Sequence, residues 1–315
     1  MTTTVNDAGR SAGHRRRPGR SDRVALVTCA RLPDLDPDDR HLVSALEALG
    51  RTAEPVVWDD PTVDWSAYAV AVLRSTWDYA ARRDEFLAWA ASVPRLANPA
   101  DVVAWNTDKR YLAHLAEAGV PVAATEWIEP GQRWDLPEAG EWVIKPAVGA
   151  GSIDAGRYDL ADAAHRSMAA AHVERLHRAG RVVMLQPYLH SVDTHGETCL
   201  IFLAGAYSHG VRKSALLDGP DLGTTALFKQ ETVSPCIPTD AEHAVAASAL
   251  AAVPGGWRRL LYARVDLLPG PDGDPVVVEL ELTEPSLFLG TADGAAARLA
   301  RAVAAAAGGQ VVATP

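Results

Sequence analysis

The chain has 315 residues, 48% of them hydrophobic and 22% charged, with a formal net charge of −10. That composition suits a globular protein with room for two or three subdomains around a sizeable core, and no apolar run reaches the length of a membrane span. Three cysteines (Cys29, Cys199 and Cys236) lie far apart without metal-type spacing, and the N-terminus lacks an apolar signal core, so a reduced, cytoplasmic setting is expected.

Residues 1–21 read as a disordered basic tail, because residues 1–20 hold five Arg against one Asp with no apolar periodicity. Setting that +4 aside leaves −14 on the body, which speaks against a nucleic-acid surface. From 22 to 105, strand and helix signals alternate. RVALVTC is a buried apolar run, and DPDDRHLVSALEALG has acids in its first turn and Gly50 at its stop. AEPVVW and YAVAVL follow as strands and RRDEFLAWAASV as a helix, a rhythm that implies a parallel sheet. RSTWDY follows YAVAVL at a strand's carboxyl end, where open α/β sheets bind ligands. Arg74, Ser75, Thr76 and Asp78 are therefore candidates for reading the charged ends of an amino acid. The alternative is that Trp77 and Tyr79 cover a subdomain junction and Asp78 is a cap.

From 106 to 189, NTDKRYLAHLAEAGV reads as a helix capped at Asn106 or Thr107 and stopped at Gly119. VAATEWI, EWVIKP, GRYDL, a helix across 161–179 and the strand VVMLQPYL follow, which indicates an antiparallel α+β unit. Within it, EWVIKPAVGAGSIDAGRYDL is strand, lysine, glycine loop, strand. Successive amides around Gly149, Gly151 and Ser152 can form an anion-binding concavity, and Lys145 offers a point charge to phosphate oxygens. An ordinary glycine-rich hairpin would look the same. The loop fits neither the Rossmann nor the Walker A pattern, since a strand follows it and GK[ST] is absent.

From 190 to 315, ETCLIFLAGAYSHGV reads as a hairpin turning at Ala204–Gly205. ALFKQETV follows, then a helix over 240–253, LYARVDLL, PVVVELEL and an alanine-rich helix. LYARVDLL puts Tyr262, Arg264 and Asp266 on one face. In VVVELELTEP, alternation from Val278 to Thr283 puts Val278, Leu280 and Leu282 on one face and Glu279 and Glu281 on the other. Folding this hairpin about Asp272 brings Asp266 opposite residue 278 or 279, and like charges facing each other across strands repel. Mg²⁺, which takes oxygen ligands, would remove the conflict; a solvated polar face is the plain alternative. LDGPDLGTTALFKQ is a long polar loop that reads as a lid. Lys213 and Lys229 either assist there or are solvated surface lysines.

The order of these motifs resembles the ATP-grasp superfamily over residues 23–308: a lysine opening a helix, a lysine before a glycine loop, QPYL at a strand end, then RVD and ELE on paired strands. The resemblance implies an α/β and α+β fold of three subdomains, with a parallel N-terminal unit at 22–105 and two α+β units, 106–189 and 190–315, sandwiching ATP. It implies that Lys109 and Lys145 neutralise phosphate charge and that Gly149 to Ser152, including Gly151, closes over the β- and γ-phosphates. Gln186, Tyr188 and Leu189 would form the adenine linker, and Asp193 would take a ribose hydroxyl. Asp266, Glu279 and Glu281 would hold Mg²⁺, or Mn²⁺ in its place, Glu281 standing where many members carry Asn. Arg212 and Arg264 would serve the transferring phosphoryl group and the substrate carboxylate.

Within the superfamily the chain resembles the glutathione-synthetase-like branch. DPDDRHLVSALEALG, RSTWDY and ELELTEPSLFL are more particularly similar to the O-ureido-serine cyclo-ligases of cycloserine biosynthesis. The implied function is an ATP- and Mg²⁺-dependent ligase acting on an amino-acid-like metabolite. It would phosphorylate a carboxyl or carbamoyl-type group, which an amine then attacks, within one molecule as in that group or between two as in dipeptide or glutathione-type ligases. A kinase on the same fold and a non-catalytic nucleotide-binding module are further alternatives. The expected associations are a small substrate, no nucleic acid, no membrane and a homodimer.

Overall fold

The computed structural model describes residues 22–309; the tail read at 1–21 lies outside them. The first apolar run forms β1 (Arg23–Thr28), followed by α1 (Arg40–Glu47), β2 (Thr52–Val57), β3 (Val70–Ser75), α2 (Arg83–Ser92) and the short β4 (Leu96–Ala97). These strands pair in parallel in the order β2-β1-β3-β4. β1 and β3 are buried almost throughout, as a parallel sheet covered on both faces requires. One face packs on α2 through Leu73 and Phe86. The other packs on α1 and on the C-terminal helix α8 (Ala295–Ala307) through Leu42, Leu46, Leu299 and Val303. The end of the chain thus closes the first sheet.

α3 (Ala100–Asn106) and α4 (Tyr111–Glu117) lead to β5 (Glu126–Ile128), β6 (Glu141–Pro146), β7 (Gly156–Asp159), α5 (Ala163–Arg178) and β8 (Val183–Pro187). These strands form an antiparallel sheet, β5-β8-β6-β7, backed by α5. After α6 (Ser191–His195) come β9 (Glu197–Leu203), β10 (Ala206–Lys213), β11 (Val233–Cys236), α7 (Asp240–Ala251), β12 (Tyr262–Pro269) and β13 (Pro275–Glu281). They form a five-stranded antiparallel sheet, β11-β10-β9-β12-β13. No described helix is long and apolar enough to cross a membrane.

In ALFKQETV strand pairing begins only at Val233, and the backbone before it bonds to the glycine loop, Lys229 N donating to Gly151 O at 2.9 Å. Two local expectations are corrected. Asn106 ends α3 instead of capping the next helix. Its amide donates to Leu280 O (2.7 Å) and accepts from Leu282 N (2.7 Å), while the Tyr111 hydroxyl accepts from Leu280 N (2.9 Å). β13 is an edge strand, and side chains satisfy backbone groups that a further strand would otherwise take. Finally, Val278 does not share the core face with Leu280. Asp266 pairs with Glu279 but Leu267 with Val277, so Val278 is the extra residue of a β-bulge and Val277 fills the core.

Asn98, fully buried just beyond β4, holds the ends of β12 and β13. It donates to Tyr262 O (2.9 Å) and Leu282 O (2.7 Å) and accepts from Leu261 N (2.6 Å). Asn98→Ala strands three buried polar groups, so a loss of about 3 kcal/mol is expected. Urea unfolding measures it, and a midpoint matching wild type would contradict this role.

Candidate active site

The register of β12 and β13 sets Arg264 opposite Glu281 and Asp266 opposite Glu279. Ligand oxygens of Asp266, Glu279 and Glu281 lie within 4.8 Å of one another. Asp266 accepts from Arg264 Nε (2.8 Å) and Lys213 Nζ (3.0 Å), and Arg264 also bonds Glu281. Burial opposes the Asp266 charge, yet Arg264 and Lys213 hold its carboxyl well below the usual range. Glu279 also ends below its ordinary value, burial being outweighed by Lys109 and Lys145. Burial pushes Glu281 up to about 8, with Arg264 offsetting part of the rise. Three hard oxygen donors at this spacing fit a Mg²⁺ ion that keeps open positions for phosphate and water.

Three lysines surround these acids. Lys109, in the link between α3 and α4, donates to Gly149 O (2.7 Å) and pairs with Glu279 (3.0 Å), joining the glycine loop to the acidic strand. Lys145, on β6, lines the same cavity and has no hydrogen bond or ion pair among the described residues. Burial pulls its pKa down, and the attraction of Glu279 offsets only part of that. Lys213 ends β10 with Nζ 2.6 Å from Glu197 and 3.0 Å from Asp266, and it is only 8% exposed. The surface-lysine alternative for Lys213 is thereby corrected. Arg212 points the other way, donating to His195 O (3.2 Å), and does not line the cavity. Side chains alternate along a strand, so only one of two adjacent residues can face the site.

Gly149, Gly151 and Ser152 line the cavity. Gly151 has φ +60°, and a Cβ there would come 2.6 Å from Phe228 Cβ, so the approach of the 214–232 segment requires glycine. That segment lies across the glycine loop, the place expected of the lid. Lys229 Nζ donates to Ala155 O (3.1 Å), Arg31 donates to Thr225 O (2.7 Å), and Phe228 meets Trp77 edge-on at 5.0 Å. Arg175 of α5 reaches both loops, donating to Asp154 (2.7 Å) beside the glycines and pairing with Asp221 of the lid.

Gln186, Tyr188 and Leu189 line the cavity at the end of β8, where Gln186 donates to Thr125 Oγ1 (2.8 Å). Asp193 does not, because α6 turns it outward to accept from the Tyr188 hydroxyl (2.6 Å) and Arg157 (3.4 Å). The acid after the linker that faces the cavity is Glu197. Arg74, Ser75 and Thr76 are fully buried, and none of them lines the cavity. Arg74 bonds Asp39 (2.9 Å) and Pro285 O, and Ser75 bonds Asp39 (2.8 Å). Asp78 takes Trp58 Nε1 (3.0 Å) and Arg82 (3.1 Å). Direct substrate contact by these four is corrected: they end or follow a strand buried on both faces and brace the junction. Trp77 and Tyr79 of the same motif do line the cavity, together with Asp36, Asp38 and Glu284. Burial pushes Glu284 up to about 7.

Residues 24–98 match a family model described as the N-terminal domain of D-cycloserine synthetase DcsG. Over 300 residues the chain is 44% identical to the cycloserine biosynthesis protein DcsG of Streptomyces lavendulae, covering 89% of this chain and 97% of that one. The crystal structure of D-cycloserine synthetase DcsG matches with a TM-score of 0.77 at 42% identity, covering 90% of this chain and 98% of that one. The ATP-grasp ligase PsnB, also solved with Mg and ADP, matches with a TM-score of 0.59 at 20% identity over 91% of this chain and 99% of its own, a likeness of fold.

Because Glu281 rises from 4.5 to about 8 in the fold, the folded protein holds this proton more tightly than the unfolded chain. The linked stability is complete below the unfolded value and is lost as pH rises towards 8. Glu281→Gln keeps the neutral form throughout. Without divalent ions, Tm of wild type should therefore fall relative to the variant between about pH 5 and pH 8; parallel Tm curves would contradict the shift.

Proposed function

The chain belongs to the D-cycloserine synthetase family of ATP-grasp ligases, and from that premise we infer that it spends ATP to form a C–N bond within one amino-acid-like acid, with O-ureido-serine as the candidate substrate. One observation carries this inference. Lys109, Lys145 and Lys213 surround Asp266, Glu279 and Glu281 in a cavity of about 410 Å³ walled by the two antiparallel sheets and by loops of the N-terminal unit. Cations and hard acids so interleaved suit a triphosphate with a divalent ion.

In this proposal, Lys145 meets phosphate oxygens with its unpaired charge, and the glycine-loop amides cover them. Lys109 and Lys213 give the triphosphate two further positive contacts while each keeps an acid in place. Asp266, Glu279 and Glu281 would hold Mg²⁺, which supplies positive charge between phosphate oxygens when bound. A substrate carboxylate oxygen attacks the γ-phosphorus and ADP leaves. The nitrogen attached to the side-chain oxygen then attacks the acyl carbon, inorganic phosphate leaves, and the nitrogen gives up its proton as a five-membered ring closes. The lid, with Phe228 against Trp77, keeps water from the acyl phosphate. A cytoplasmic location, where ATP is at hand, goes with this function.

Incubation with ATP, Mg²⁺ and O-ureido-serine should release ADP and give a cyclic product without phosphate, read by mass spectrometry. A phosphorylated product, a product joined to a second molecule, or ATP binding without turnover would each overturn ring closure. Lys213→Met should lower kcat by about 100-fold or more, whereas Arg212→Met, outside the cavity, should stay within about threefold of wild type.

A further inference from the structure

We propose that the Glu284 carboxylate receives the ammonium group of the substrate and so makes the site specific for an amino acid over the corresponding deamino acid. Asp36 and Asp38, which also line the cavity, accept backbone amides, and the acids on and beside β9, β12 and β13 other than Glu284 have protein cations. Asp266 has Arg264 and Lys213, Glu279 has Lys109 at 3.0 Å, Glu281 has Arg264, and Glu197 has Lys213 at 2.6 Å. Glu284 lines the same cavity and is 8% exposed, yet among the described residues no cation forms an ion pair with it. Its side-chain partner is neutral, the Tyr79 hydroxyl. Lys109 and Arg264 act on it only from a distance, their direct ion pairs being with Glu279 and with Glu281 and Asp266, so a ligand bearing a cation would give this buried carboxylate a direct partner.

Glu284 is also held rigidly for this task. Trp77 Nε1 donates to the Glu284 carbonyl at 3.0 Å, Arg74 bonds the next carbonyl at Pro285, and the Tyr262 hydroxyl bonds the previous one at Thr283 (2.8 Å). RSTWDY therefore acts on the substrate through Glu284: Arg74 and Trp77 fix its backbone, and Tyr79 aims its carboxylate. A primary ammonium suits the place, being a compact cation that can donate to a carboxylate and still present hydrogens to neighbours.

The proposal rests on the ligase reading above and is tested separately from it. Wild type and Glu284→Gln are compared with O-ureido-serine and with the analogue whose ammonium is replaced by hydrogen. Wild type should favour the ammonium acid by about 100-fold in kcat/KM, and Glu284→Gln should lose that preference, mainly through a higher KM. Binding of Mg²⁺-ATP should match wild type, showing that fold and nucleotide site are intact. Should Glu284→Gln fail to fold, Tyr79→Phe serves instead, with an expected rise of about tenfold in KM for the ammonium acid alone. Retained preference in Glu284→Gln, an equal effect of Tyr79→Phe on both acids, or no preference in wild type overturns the proposal. Failure of ring closure itself would show differently, as no ADP release by wild type with the ureido acid.

Discussion

The site depends on one pairing: β12 against β13, which sets three carboxylates and an arginine on adjoining strands. Two carboxylates within 4.8 Å repel by about 3 kcal/mol at an effective dielectric near 20. The fold offsets this by alternating the charges. Lys213, Asp266, Arg264 and Glu281 follow one another, and Lys109 takes Glu279. Such a chain of ions is costly to interrupt, because removing one partner leaves a buried charge without its counterpart. Each acid is therefore neutralised by the same cations that a triphosphate would engage, and ligand binding redistributes charge within a balanced set.

The pairing would be useless if β13 could shift, and on its outer side this edge strand has only a short parallel bridge at Val277, which donates to Pro121 O (2.8 Å) and accepts from Ala123 N (2.9 Å). Asn106 and Tyr111 clamp Leu280 and Leu282, and Asn98 clamps Leu282 to the ends of β12. Beyond the strand, Arg74 and Trp77 hold residues 284 and 285, and Asp38 accepts the Leu289 and Gly290 amides (2.8 and 2.9 Å). The N-terminal unit, with α3 and α4, thus fixes both the acidic strand and the segment after it. On the opposite side, Arg175 joins the glycine loop to the lid. Opening the lid means breaking the Asp221 pair or taking the glycine loop along, so the two loops are mechanically one unit.

Much of this was legible in the residues. Period-two alternation and a Gly/Pro turn suffice to bring Asp266 against Glu279, and apolar runs separated by amphipathic helices suffice for the parallel sheet. The misreadings share a cause: they concern which way a polar side chain turns, and that is decided by partners distant in the chain. Nothing near Asn106 shows that its amide serves residues 280 and 282. Arg212 and Lys213 are chemically alike in sequence, and only the register of β10 against β9 separates them. The bulge at Val278 depends on two hydrogen-bonding registers meeting across the strand pair. RSTWDY drew attention through its charged residues, but a strand buried on both faces turns Arg74 and Ser75 into internal braces and leaves the aromatics to face the ligand.

Glu281, where many ATP-grasp members carry asparagine, shows how this chain accommodates an added charge. A lone extra carboxylate would deepen the repulsion, and burial does raise its pKa. Arg264 is its direct cross-strand partner, and the same guanidinium also serves Asp266, so the extra acid sits against a cation on the neighbouring strand. Arg264 Nη1 is anchored besides to Ser286 O (3.0 Å), in the segment that carries Glu284 and is held by the N-terminal sheet. The guanidinium thereby connects the acids that face the phosphates with the wall that faces the rest of the ligand. If the proposed site holds metal or phosphate at Glu281, Arg264 is the group that would carry a change of charge there to the backbone beside Glu284. Under the proposed reading, this single buried cation would couple nucleotide and substrate.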